Sequence, residues 1–115
     1  MGAYGATTQD VMDTAQVLQV RDALVPVLAD VARLERALRD LAERHRHTPM
    51  AGRSKLQHAV PMSFGYKVAL WLDQVHRCRL ALAGALDGAS VLQFGGAIGT
   101  LSSLPLSGLE VRRHL

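Results

Sequence analysis

The sequence has little of what marks several common protein classes. Its 115 residues include one cysteine, Cys78, which excludes an internal disulfide and is typical of a reducing compartment. Aromatic residues make up 4% although hydrophobic residues make up 49%, a composition of Leu, Val and Ala that favours packed helices over a β-sandwich. No apolar run could span a bilayer, and the N-terminal segment has no apolar signal core. We therefore expect a soluble, cytoplasmic chain.

Charge and histidine content exclude two further classes. The formal net charge of +3 suits an anionic ligand, but the basic residues are spread along the chain, so nucleic acid is not an expected partner. His45 and His47 come nearest to a metal motif. Residues two apart point to different sides of a helix, and no Cys or carboxylate stands at ligand spacing. We expect no metal site.

One long helix is predicted from about Asp10 to Arg46. Its apolar residues step by three and four without a break: Val17, Val20, Leu24, Val27, Val31, Leu34, Leu38 and Leu41. Pro26 is expected to bend this helix, and charged residues, Glu35 and Arg36 among them, are assigned to its outer face. Such a heptad seam predicts a long-helix bundle of the all-α class. Because so short a chain cannot cover the seam, self-association is expected.

The rest of the chain alternates loop and helix. The segment His47–Pro61, which has two prolines and no clear period, is predicted to be a loop. A second helix is predicted from Met62 to about Leu86, ended by Asp87 and Gly88. The residues at helical spacing in it are Val68, Leu72, Val75, Arg79 and Leu82. The glycine-rich stretch from Gly95 to Gly99 lacks the ending of a phosphate loop and predicts close backbone packing at a tight turn.

Two polar clusters are candidate sites. In Gly5–Asp10, Thr7 or Thr8 is predicted to cap the long helix, and the same hydroxyls and free amides could hold a carboxylate. In the second cluster, Gly52–His58, Arg53 offers a two-pronged donor to a carboxylate and Lys55 a point charge or a proton. An ordinary solvated basic loop is the alternative interpretation of this second cluster.

Three sequence blocks carry a resemblance to a known family, in the family's own order. The blocks are GATTQDVMDT at residues 5–14, TPMAGRSKLQHAVPMSFG at 48–65, and VLQFGGAIGTL at 91–101 with VLQVRDAL at 17–24. The first two resemble the first and second signature regions of the fumarase/aspartase superfamily. The third most resembles the bacterial 3-carboxy-cis,cis-muconate cycloisomerase branch. The resemblance covers residues 5–104.

The resemblance implies a fold and a site. The superfamily is all-helical, with long helices of four subunits in one bundle and each active site shared by three subunits. Residues 1–115 would be a single partial domain of that bundle, forming a homo-oligomer, with a tetramer typical of the family and a dimer possible. By position, Thr7 and Thr8 would bind a substrate carboxylate, and Ser54, Lys55 and Gln57 would line the site from a second subunit, with Arg53 and Gln57 also binding substrate. Ser54 and Lys55 would be catalytic.

The reaction implied is lactonisation of a small anionic polycarboxylate in aromatic catabolism, by the β-ketoadipate route. A substrate carboxylate attacks across its own double bond and a proton goes to the neighbouring carbon, without a metal or an organic cofactor. Lys55 stands where many members have histidine, so its role as proton donor is a hypothesis. The third signature, which bears the serine base, is absent, and we expect an internal piece that is inactive alone. The alternatives are an adenylosuccinate- or argininosuccinate-type lyase piece and a non-catalytic helical self-association module.

Overall fold

The structure of the chain, a computed structural model, describes residues 4–104 and 107–114. The elements in chain order are helix α1 (Thr8–Arg44), strands β1 (Pro49–Ser54) and β2 (Gln57–Ser63), and helices α2 (Phe64–Ala89) and α3 (Gly108–His114). The predicted all-α class is confirmed, with one two-stranded sheet in the described part.

Contacts divide the chain into two compact units. The first unit joins the residues up to Leu24 with those from Leu86 onward, and the second is Val25–Ala85. In the described ranges, no helix is both long and apolar enough to cross a membrane.

Helix α1 begins two residues earlier than predicted and also ends two residues earlier. The Thr7 amide donates to Asp10 Oδ2 over 3.0 Å, which is half of a capping box and places a negative charge in the first turn. Pro26 lies inside the helix without ending it. A proline in that position removes one backbone hydrogen bond, and the predicted bend stays a prediction.

The second unit has a small core between α1 and α2. Val68 is fully buried, and the other residues at helical spacing in α2 are half-buried. On α1, Val31 and Leu38 are half-buried, whereas Val27 and Leu34 are 45% and 47% exposed. The heptad seam therefore divides into one side that this unit covers and another that remains in solvent.

Glu35 corrects the assignment of the charged face of α1. Its side chain is only 14% exposed, and both of its carboxylate oxygens accept a hydrogen bond from Arg79 Nε at 3.0 Å. His76 Nδ1 lies 3.1 Å from Glu35 Oε1. Arg79, and next His76, hold the pKa of the Glu35 carboxyl below its ordinary value despite the opposing effect of burial. Position 35 falls on the inner side of α1, where a carboxylate is tolerated because α2 supplies cations.

The start of α2 is tied to the end of α1 by the His45 carbonyl, which accepts the amides of Thr48 and Gly65 at 3.1 and 2.9 Å. The Ser63 hydroxyl caps α2 by accepting the Tyr66 amide over 3.1 Å. A Cβ atom on Gly65 would lie 2.6 Å from the Ala42 carbonyl oxygen and 2.7 Å from the His45 carbonyl oxygen. Glycine is therefore required for the two helices to approach this closely.

The predicted end of α2 is wrong by three residues. The helix continues through Asp87 and Gly88 to Ala89, because a helix interior tolerates glycine at a cost of about 1 kcal/mol. It ends where the Ser90 hydroxyl donates to the Leu86 carbonyl over 2.7 Å. Helix α3 was not predicted from the sequence.

Replacing Gly65 with alanine should lower the free energy of unfolding by about 2–3 kcal/mol, because the new methyl group meets backbone atoms that cannot move aside. Gly84→Ala is the matched control in the same helix, since a Cβ there meets nothing within 4 Å. That change should raise stability by about 0.5–1 kcal/mol. Urea unfolding followed by circular dichroism measures both changes, and equal effects would refute the steric account.

Candidate functional site

The segment that carries most of the predicted site residues is a β-hairpin, so the predicted loop over His47–Pro61 is wrong. Strands β1 and β2 pair antiparallel from Pro49 opposite Ser63 to Ser54 opposite Gln57, with an irregularity between Ala51 and Arg53. Two prolines obscured the strands in the sequence. Proline is tolerated here because both strands of a two-stranded sheet are edges.

Gly52 fixes the irregular part of the hairpin. It is buried, and a Cβ atom there would lie 2.6 Å from the Val60 carbonyl oxygen. The two paired strands can approach each other this closely only with glycine at position 52.

The tip of the hairpin is strained. Lys55 and Leu56 have positive φ values of 47° and 65°, as a two-residue type I′ turn requires. Each non-glycine residue in this region costs about 1–2 kcal/mol. Leu56 is fully exposed, so its side chain does nothing within this chain to offset the strain. Strain of this kind concentrates where the backbone is shaped for a function, and here it presents Lys55 at the tip.

The predicted site residues on this hairpin lie together. Arg53, Ser54 and Lys55 line a surface concavity of about 400 Å³ with Leu56 and His58. Gln57 pairs with Ser54 across the turn. Within residues 4–104 and 107–114, no carboxylate forms an ion pair with Arg53 or Lys55. The tip thus offers two cations and an imidazole to an anion.

The other predicted site residues lie in the first unit. Thr7 immediately precedes α1 and is half-buried, while Thr8 begins the helix and is exposed. The amides of a first helical turn have no intrahelical carbonyl to bind, and the helix dipole favours an anion there. Hydroxyls and amides are therefore available for a carboxylate at this end of α1.

Asp10 is a residue of this end that we did not place among the candidates. Its carboxylate is 3% exposed and accepts the amides of Gly95 and Gly96 at 3.0 and 2.9 Å, as well as the Thr7 amide. These hydrogen bonds, that from Thr7 first, hold the pKa of Asp10 below its ordinary value of 3.8, against the effect of burial. Two features of the sequence could have indicated this contact. Asp10 is an acid in the first helical turn, and Gly95–Gly96 is a glycine pair that lacks any phosphate-loop ending.

The glycine-rich stretch forms the predicted close backbone packing. Gly96 has φ +73°, and a Cβ there would lie 3.1 Å from the Gly5 carbonyl oxygen. The Leu101 amide donates to the Gly95 carbonyl over 2.9 Å. No group of three His, Cys, Asp or Glu side chains in the described ranges is arranged to hold a metal ion.

Comparison with known proteins identifies the family. Residues 3–110 match the sequence model of the family described as Lyase, and the chain belongs to that family. The predicted fumarase/aspartase superfamily is confirmed. The chain is 49% identical to a 3-carboxy-cis,cis-muconate cycloisomerase of Pseudomonas aeruginosa over 96% of its own length and 24% of that protein's. It is 38% identical to an adenylosuccinate lyase of Pyrococcus abyssi over 95% of its length and 24% of that protein's.

Solved structures agree with this assignment. The chain superimposes on a fumarate lyase from Mesorhizobium with a TM-score of 0.91 and 50% identity, over 96% of this chain and 26% of that one. A 3-carboxy-cis,cis-muconate lactonizing enzyme from Pseudomonas putida gives a TM-score of 0.90 and 44% identity, over 94% and 24%. The chain therefore spans about a quarter of the length of the relatives it matches.

Changing Leu56 to glycine should stabilise the hairpin by about 0.5–1 kcal/mol, because glycine relieves the positive φ at the cost of some chain entropy. Leu56→Ala removes the same exposed side chain but keeps the strain, so it should change little. Amide hydrogen exchange of β1 and β2 measures the local effect. If alanine stabilises the hairpin as much as glycine does, the strain at position 56 is not the cause.

Proposed function

We propose that the chain supplies binding residues for a small polycarboxylate in an enzyme of the Lyase family, and that the reaction is the lactonisation of 3-carboxy-cis,cis-muconate. The observation that carries the proposal is the hairpin tip, where Arg53 in β1 and Lys55 in the strained turn are exposed and have no ion-pair partner in the part of the chain that the structure describes. The choice of reaction is supported by relatives named as cycloisomerases, at 49% and 44% identity.

Different residues bind the different carboxylates of the substrate in the proposed reaction. Arg53 and Gln57 of one subunit bind one carboxylate from the hairpin, and Thr7 and Thr8 of a different subunit bind another with the start of α1. A substrate carboxylate oxygen forms a new C–O bond as the C=C π bond breaks, and the electron pair moves to the neighbouring carbon. Preorganised donors stabilise that carbanion, whose charge spreads into a carboxylate.

The proton that completes the lactone comes from Lys55, with Ser54 beside it in the same turn. Arg53 lines the same concavity as Lys55 and can bind a substrate carboxylate beside it. The substrate carbon gains this proton and Lys55 regains one from water, so the lactone contains the same atoms as the acid form of the substrate, which is the balance of an isomerisation.

Two other assignments compete with this one. Relatives named N-acetyl-S-(2-succino)cysteine lyase and adenylosuccinate lyase share 43% and 38% identity with the chain, so elimination from a succinyl adduct is the second candidate reaction. A non-catalytic self-association module is the third candidate, and the solvent-exposed side of the α1 seam favours it. A cytoplasmic location and a homo-oligomer remain part of the proposal.

Lys55→Ala should weaken binding of 3-carboxy-cis,cis-muconate about tenfold, since a charge-assisted contact contributes about 1.5 kcal/mol. Arg36→Ala is the matched control, because it removes one positive charge from an exposed position of α1. Isothermal titration calorimetry measures the affinities, and absorbance of the conjugated diene reports turnover. Equal losses in both variants would mean non-specific attraction, and tighter binding of adenylosuccinate than of the carboxymuconate would favour the lyase reaction.

Leu34→Asn should weaken self-association at least tenfold, because it removes apolar area from the exposed side of the seam. Arg36→Asn changes a position about 200° away around the helix and should leave the association unchanged. Light scattering coupled to size exclusion, over a range of concentrations, measures both. A monomeric parent chain would contradict the proposed homo-oligomer.

A further inference from the structure

Asp10 is the one buried charged side chain in the part of the chain that the structure describes. Three backbone amides donate to it, those of Thr7 and Gly96 to Oδ2 and that of Gly95 to Oδ1, over 2.9–3.0 Å. Hydrogen bonds from backbone amides to an ionised carboxylate are stronger than hydrogen bonds between neutral groups. A buried carboxylate with three such donors holds its neighbours firmly in place.

The three donors come from two segments that are far apart in the sequence. Thr7 lies one turn before Asp10, whereas Gly95 and Gly96 follow it by 85 and 86 residues. The Gly5 carbonyl also lies against Gly96, closely enough that a side chain there would collide. The segment leading into α1 is therefore fixed to the glycine turn by both packing and hydrogen bonds.

This arrangement decides which groups at the start of α1 can meet a ligand. The Thr7 amide is occupied by Asp10, so a bound carboxylate must use the threonine hydroxyls and the amides of the following residues. The direction of those groups depends on where the Thr7 backbone is held. A carboxylate placed here to attract an anion would be the wrong charge, so its value to binding can only be geometric.

We propose that Asp10 is a positioning residue for carboxylate binding: it fixes Thr7, and through it Thr8, by joining the start of α1 to the Gly95–Gly96 turn. This inference rests on the proposed function, because it takes the ligand of Thr7 and Thr8 to be a polycarboxylate. Asp10 itself touches no ligand and acts through the backbone alone.

Asp10→Asn tests the proposal with nearly the same shape. Its NH₂ group would face amide donors that need an acceptor, so Thr7 and the glycine turn should separate. Removing a negative charge should by itself tighten binding of an anion. A loss of affinity for 3-carboxy-cis,cis-muconate of about tenfold or more therefore cannot be electrostatic. Asp13→Asn, which removes the same charge one turn further along α1, should bind slightly tighter or as the parent chain does.

The experiment uses the whole chain and combines calorimetry with amide hydrogen exchange. A folded Asp10→Asn variant that binds as tightly as the parent would overturn the proposal. Should that variant fail to fold, Asp10→Glu decides the question, because it keeps the charge but displaces it by one methylene. A folded Asp10→Glu variant with unchanged affinity would also overturn the proposal, and a several-fold loss would support it.

Hydrogen exchange separates this inference from the proposed function. If the parent chain binds no polycarboxylate, the proposed function fails, and the exchange rates of the Thr7, Gly95 and Gly96 amides then decide about Asp10. Faster exchange at these three amides in Asp10→Asn, with α2 unaffected, would support its role in joining the start of α1 to the Gly95–Gly96 turn. Unchanged protection at all three would refute it.

Discussion

The close approach of the two long helices at Gly65 is the constraint on which the second unit depends. The His45 carbonyl accepts hydrogen bonds from the amides of Thr48, just before the hairpin, and Gly65, just after it. The chain therefore enters and leaves the hairpin at nearly the same point. A short two-stranded hairpin is only marginally stable in water by itself. Because its two ends are held together, the position of its tip is fixed, and a side chain larger than hydrogen at position 65 would push the two ends apart. Glycine is needed at position 65 because it has no Cβ atom.

The two units use opposite means to hold their polar segments. At the hairpin, glycine at position 52 and the strained turn at Lys55 and Leu56 fix the backbone by shape, while the polar side chains remain in solvent. At the start of α1, the buried carboxylate of Asp10 fixes the backbone by hydrogen bonds. In both places the groups that could contact a ligand belong to a backbone that is ordered before binding, by backbone shape at the hairpin and by the hydrogen bonds of Asp10 at the start of α1. Such preorganisation reduces the entropy lost on binding.

The sequence alone predicted the helices well and the segments between them poorly. The long periodic run of α1 and the helical spacing along α2 were correct, because apolar residues that recur every three or four positions directly report a helical period. The hairpin was missed because its turn is Lys55–Leu56 rather than Asn-Gly, and because prolines interrupt its strands. Glu35 was misplaced because its partners, Arg79 and His76, are more than forty residues away. The candidate residues at the tip came from a resemblance, whereas the role of Asp10 needed a contact across 85 residues.

The uncovered side of the α1 seam has a further consequence for how copies would align. Val27 and Leu34 are seven residues apart, about 10.5 Å along the axis, and both are apolar, so a helix lying on them would meet a similar surface after sliding by one heptad. Apolar contact alone therefore specifies that helices meet but leaves their axial register degenerate. Asp30, which lies between these two residues, forms an exposed ion pair with Arg33 over 2.8 Å. This charged pair interrupts the apolar row, and because burying it costs desolvation, alignments that leave it in solvent are favoured over those that cover it. Any binding group that one copy lends to another would then be placed by this charged pair as well as by the seam.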